Sequence, residues 1–223
     1  MHKSLIWDIY TRIFHWLLVV CIGLQWLTGE LGGSWMNWHA YVGYFTLGLI
    51  LFRLIWGLVG ADYARFKRFF PGFDDIKQCV RGENRTYLSH NPLGAVMVFA
   101  LLLIILIQAI SGLFSSDDVF FDGPLRSLAN EQWQQLADKI HHNGFTVIQI
   151  LAAVHIIAAF YYLFGKKQNL ISPLFHGYKN TEQDRSIKHQ YHWRALLIAL
   201  LVAAAIYFLV TVLPPEVVEE VYF

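Results

Sequence analysis

Charge is scarce in this 223-residue chain: Asp, Glu, Lys and Arg make up 15% of it, against 56% hydrophobic residues. So little charge excludes a chain wetted on all sides, and a net charge of +1 provides no basic field for nucleic acid. Cysteine is nearly absent as well. Cys21 and Cys79 are isolated, which excludes the C-x-x-C-H motif of covalent haem attachment, and both are expected to stay reduced thiols. No internal repeat, low-complexity tract or soluble domain interrupts the chain. No small-residue cleavage site follows the first apolar run, which carries Trp16, Gln25 and Trp26 and is expected to be retained.

Apolar length is what the chain has in quantity. Five segments reach the roughly 20 residues that a helix needs to cross a bilayer: 13–31, 38–60, 92–114, 130–164 and 193–213. The expected fold is therefore an all-α integral membrane protein, with a four-helix transmembrane bundle in 1–165. Residues 166–223 supply a cytoplasmic loop, a fifth C-terminal transmembrane helix and a short periplasmic tail. Eight Trp and eleven Tyr are available for the two interfaces. Local signals sharpen the boundaries. Asn91 before Pro92 reads as an N-cap and first helical position. Trp133, Leu136 and Ile140 recur at helical spacing, so the fourth span begins near Asn130 and projects beyond the membrane. Ile76, Cys79 and Val80 give the stretch 74–81 one apolar side, as in a short helix lying on the interface.

The basic residues are distributed unevenly. Lys3 and Arg12 precede the first span; Arg53, Arg65, Lys67, Arg68, Lys77, Arg81 and Arg85 end or follow the second. Lys166, Lys167, Lys179, Arg185, Lys188 and Arg194 lie between the fourth and fifth. Only Arg126 and Lys139 fall on the other side. The excess marks the cytoplasm, so the N-terminus is expected inside a bacterial inner membrane, and the C-terminus, with Glu216, Glu219 and Glu220, on the periplasmic side.

Within these spans the histidines carry the chemistry. His141 and His155 lie fourteen residues apart, about four helical turns, on one face and about 21 Å from each other along the axis. His142 points about 140° away from His155. An ionisable group at membrane depth faces the interior and needs a partner. Topology supplies one at each height: His15 enters the first span on the cytoplasmic side, level with His155, and His39 enters the second on the outer side, level with His141. Two imidazole pairs at two depths suit bis-histidine ligation of b-type haem between helices. Gly43, Gly144, Ala158 and Ala159 are candidates to widen the slot. Zinc fits less well, since two ligands per level fall short of a tetrahedral set. Arg53 follows His39 by the same fourteen residues and Arg12 precedes His15 by one turn. Each could bind a haem propionate or snorkel to the headgroups. Gln108, Ser111 and Gln149 suit hydrogen bonding between helices better than a quinone pocket. His2, His90, His176, His189 and His192 are expected to be ordinary surface residues.

The stretches WDIYTRIFHWLLV, WHAYVGYFTLGLILFRLIWGLVG, NPLGAVMVFALLLIILIQAISGLF and HHNGFTVIQILAAVHIIAAFYYLF resemble the bacterial cytochrome b561 and nickel-hydrogenase b-type cytochrome family over residues 7 to about 165. The resemblance implies a four-helix core with two b haems, His15 and His155 on one and His39 and His141 on the other. It implies electron exchange between the quinone pool and a redox partner. The fifth span departs from the four-helix members and leaves the oligomeric arrangement open, a homodimer included. On this reading the partner is a periplasmic c-type cytochrome or the electron-transfer subunit of a hydrogenase or similar enzyme. Two other readings compete. A quinone-reducing oxidase of superoxide or another small species is disfavoured by Asp117, Asp118, Asp122, Glu131 and Asp138 in the outer loop, which repel an anion. A haem-free proton-coupled transporter would use the histidines as a relay.

Overall fold

The computed structural model describes residues 2–81, 87–117, 119 and 121–215. Arg85, Asp118, Glu216, Glu219 and Glu220 lie outside the described residues. Five helices are long and apolar enough to cross a membrane. α1 (Ile9–Leu31) starts at Asp8, whose side chain accepts from the backbone N–H groups of Tyr10 and Thr11. This places its start four residues before the expected position 13, because a buried polar cap rather than an apolar residue opens the helix. Gly32, at φ 59°, ends it. After one 3₁₀ turn, α2 (Met36–Val59) returns. The short α3 (Phe73–Val80) follows. α4 (Pro92–Gly112) opens as expected, with Asn91 accepting from Gly94 N–H and proline in the first turn. α5 (Glu131–Phe160) is capped by Asn130 and runs on through a π turn, Tyr161–Gly165. α6 (Ser172–His176) is a single turn in the next connection, and α7 (His192–Tyr207) is the fifth span, also ending in a π turn.

α1 packs on α2, α2 on α4 and α4 on α5, while α7 lies against the outer side of α2. α1 and α5 pack less closely than these pairs. Phe14, Ile50, Leu102, Ile105 and Ile148 form one buried apolar cluster inside the bundle. Ile148 is seven residues from both His141 and His155, and so lies midway between the two histidine levels. Outward-facing Leu58, Leu103, Ile157, Phe164 and Leu200 are all more than half exposed. With no water to offer such a surface, they face lipid, and the chain is a multi-pass membrane protein.

A small sheet closes the end of the bundle that carries the N-terminus. β1 (His2–Leu5) pairs antiparallel with β2 (Tyr178–Thr181), His2 opposite Thr181 and Leu5 opposite Tyr178. The buried Ser4 hydroxyl lies 2.6 Å from Thr181 Oγ1 and accepts from Arg185 N–H. Gly177 makes the turn into β2 at φ 89°, and its carbonyl accepts from both Ile6 and Trp7 N–H. Leu5 C=O then accepts from Ile187 N–H. Ile187 joins Trp56, Ala61, Ala64, Ala195, Ile198 and Val202 in one cluster. The N-terminal strand thus binds the connection after α5, and through it the fifth span, to the core.

Candidate functional site

α1, α2 and α5 bring the four predicted histidines together in two pairs. His15 of α1 and His155 of α5 have ring centres 6.4 Å apart, inclined at 55°. His39 of α2 and His141 of α5 have centres 6.1 Å apart, inclined at 84°. His142, as the helical phase requires, is exposed, and its Nδ1 bonds to Asp138 C=O at 2.8 Å. Among the described residues no group of three or more His, Cys, Asp or Glu comes together.

The hydrogen bonds of the outer pair determine which ring nitrogen carries the hydrogen. His141 Nδ1 lies 3.0 Å from Gln108 C=O, and a carbonyl can only accept. His141 is therefore protonated at Nδ1. His39 Nδ1 lies 3.2 Å from Thr28 Oγ1, whose hydrogen is already donated to Leu24 C=O at 2.7 Å. The hydroxyl can then only accept, and His39 is also protonated at Nδ1. In both rings Nε2 keeps its lone pair, the state a metal ligand requires. A cavity of about 260 Å³ opens beside them, bordered by Gln25, Gly29, Gly43, Gln108, Gly112 and Ile148 among others. A metal bonded at about 2 Å to two imidazole nitrogens on opposite sides sets the ring centres about 6 Å apart. Both pairs meet that separation.

At the inner level the notable feature is positive charge without acceptors. Arg53 is only 3% exposed and does not snorkel; its guanidinium lies over the Phe66 ring at 4.8 Å. Its Nη1 has no partner, nor has Arg12 Nε or His15 Nδ1. The carboxylate acting on Arg53 is Asp8, whose oxygens already accept from Tyr10 N–H, Thr11 N–H, Thr11 Oγ1 and Trp56 Nε1. Arg12 Nη1 is bonded to Phe175 C=O. These unpartnered cationic nitrogens, at the same end of the bundle as His15 and His155, leave places for carboxylate groups, as haem propionates would supply.

His90 corrects the expectation of a surface residue. It is packed edge-on against Trp7, with centres 4.8 Å apart, and against Phe69 at 4.4 Å, and its Nδ1 is buried without a partner. No local pattern announces this, since Trp7 and Phe69 come from distant parts of the chain. Burial foremost, then the charges of Arg53 and Lys179, hold its pKa down to about 3, against 6.5 ordinarily. As pH falls through about 6.5 the unfolded chain takes up a proton that the folded chain refuses until about pH 3. The folded state therefore loses up to about 1.4 kcal/mol per pH unit in that window and nothing above it. Thermal denaturation of His90→Phe between pH 7 and 4 is expected to show a shallower loss of stability than the parent chain. Gln149 is exposed, while Gln108 and Ser111 make the bonds between helices expected of them. Gly43 borders the cavity beside the outer histidines, as expected, and a Cβ there would lie 3.2 Å from Gln25 Nε2; Gly144 instead makes room for Gln108, whose Oε1 a Cβ would overlap.

A lipid-embedded helical bundle with imidazoles paired across its interior defines a class, that of membrane proteins holding a cofactor between helices. The family follows from comparison. Residues 6–177 match the family model of prokaryotic cytochrome b561, and the chain belongs to that family. It is similar to the probable Ni/Fe-hydrogenase B-type cytochrome subunit of Rhodobacter capsulatus, 22% identical over an alignment 219 positions long that spans 81% of this chain and 82% of that one. No solved structure matches it. Membership makes the chain a membrane electron-transfer cytochrome with haem b as its cofactor.

Proposed function

We propose that the chain holds two b haems and exchanges electrons between the quinone pool and a redox protein on the periplasmic side of a bacterial inner membrane, with its N-terminus in the cytoplasm. His15 and His155 ligate the inner haem and His39 and His141 the outer one; Arg53 and Arg12 bind propionates of the inner haem. The observation that carries this reading is the recurrence of one spacing, 6.4 and 6.1 Å between ring centres, at two depths of one bundle. Haem iron supplies the one-electron chemistry when bound. The residues of the chain do the rest. They orient the ligands and neutralise buried carboxylates. Ile148, buried midway between the two histidines of α5, has no group to relay a proton, which supports electron passage over the proton-relay transporter. The basic residues gathered at one end of the bundle support the orientation. Of the two partners considered, the hydrogenase cytochrome named above supports the hydrogenase-like one.

The test is a reduced-minus-oxidised spectrum of the detergent-purified protein with haem quantitation per chain, followed by mixing with quinol and with reduced periplasmic donors. Two haems per chain and exchange with both classes of reactant are expected. A folded, colourless preparation, or a loaded one that exchanges with neither, overturns the proposal.

A further inference from the structure

The two helices that flank the outer histidines carry the same short phrase. Gln25-Trp26-Leu27-Thr28-Gly29 near the end of α1 and Gln108-Ala109-Ile110-Ser111-Gly112 at the end of α4 share a glutamine, a hydroxyl three residues on and a glycine directly after it. Each phrase meets one histidine of the facing helix in the same way. Gln25 Nε2 donates to His39 C=O at 2.9 Å, and Gln108 Nε2 to His141 C=O at 2.8 Å. Thr28 Oγ1 lies 3.2 Å from His39 Nδ1, and Ser111 Oγ 3.4 Å from His141 Nδ1. Both hydroxyls direct their own hydrogen to a carbonyl one turn back, Leu24 and Gln108 respectively. Each is thereby left as an acceptor. The glycines admit the rings: a Cβ at Gly29 would stand 3.4 Å from His39 Cε1, and one at Gly112 2.7 Å from His141 Cε1. Nothing equivalent serves His15, whose buried Nδ1 has no partner.

We infer that these twin Gln-x-x-Thr/Ser-Gly phrases are positioning elements for the outer ligand pair: they lock both rings in the Nδ1–H form, hold them rigidly and make them stronger donors than the inner pair. The inference rests on the ligation proposed above. A hydrogen bond accepted from Nδ1–H raises the basicity of a ligating imidazole and favours the higher oxidation state of the metal it binds. The two halves differ in strength. Thr28 provides the hydroxyl acceptor at His39 Nδ1, whereas His141 Nδ1 would keep the Gln108 carbonyl if Ser111 lost its hydroxyl.

The experiment is a potentiometric titration of the haem-loaded protein and of Thr28→Val, Thr28→Ser and Ser111→Ala. The outer haem is identified as the one lost in His39→Ala. Thr28→Val is expected to raise the outer midpoint by about tenfold in the one-electron equilibrium, about 59 mV, and to leave the inner midpoint in place. Ser111→Ala is expected to shift it less, and Thr28→Ser, which keeps the hydroxyl, not at all. If Thr28→Val does not hold the outer haem while Thr28→Ser does, the hydroxyl is needed to seat the ligand and the inference stands. Unchanged midpoints in Thr28→Val, or equal shifts of both haems, overturn it. A parent chain without two haems refutes the ligation itself, which separates the two failures.

Discussion

His39→Ala and His141→Ala are each expected to reduce the haem content of the purified protein from two per chain to one, and His142→Ala to leave both. The argument is geometric. His39 and His141 face one another with ring centres 6.1 Å apart and with Nε2 bare, so on the proposed ligation removal of either would leave the outer haem with a single histidine. His142, its immediate neighbour, is turned out and bonded to Asp138 C=O. His15→Ala and His155→Ala are expected to remove the other haem, because the two histidine levels lie four helical turns apart on α5. Pyridine haemochrome quantitation per chain measures the loss, and the α-band of the reduced-minus-oxidised spectrum shows which of two components has gone. Loss of haem from His142→Ala alone would mean that the helix start is irregular and that the ligand has been misassigned by one residue.

The pairing of histidines was legible in the sequence because a membrane helix leaves little freedom. A span is about 30 Å of regular helix, so residue number converts directly into depth and phase. Fourteen residues between His141 and His155 specify one face and two levels before any partner is known. The cap at Asn91 and the start of α5 at Asn130 were legible for a related reason: caps are satisfied within three residues. The pairing of His2–Leu5 with Tyr178–Thr181 was not. Those strands are four residues long and about 175 positions apart, and neither alternates clearly in polarity. His90 was misjudged because its burial depends on Trp7 and Phe69, and Arg53 could not be distinguished from a snorkelling residue without Phe66 beneath it. Small residues beside the histidines were legible as space, but which group takes it depends on contacts between helices: Gly43 borders the cavity, whereas the space at Gly144 is taken by Gln108.

Asp8 is expected to be the most sensitive position in the fold outside the ligands. It is 1% exposed, and its two oxygens accept four hydrogen bonds: Tyr10 N–H at 3.1 Å, Thr11 N–H at 3.0 Å, Trp56 Nε1–H at 3.1 Å and Thr11 Oγ1–H at 2.6 Å. It is also the carboxylate whose charge acts on buried Arg53. An ordinary helix cap is worth about 1 kcal/mol. Asp8→Ala removes the cap, leaves the buried Trp56 indole without its acceptor and withdraws a negative charge that acts on Arg53, so the expected loss is about 2–4 kcal/mol, the cap and the unsatisfied indole together. Asp8→Asn separates the contributions. Asparagine caps as well as aspartate does, yet it is neutral and its amide nitrogen cannot accept from Thr11 Oγ1–H, so about 1–3 kcal/mol should be lost. Trp56→Phe, which removes one hydrogen bond and keeps the ring, should cost about 1 kcal/mol. Thermal denaturation in detergent, followed by helix signal and by haem release together, ranks the three. Equal losses for Asp8→Ala and Trp56→Phe would show that the carboxylate acts only as an acceptor for the indole, and that the charge of Arg53 is balanced by groups other than Asp8.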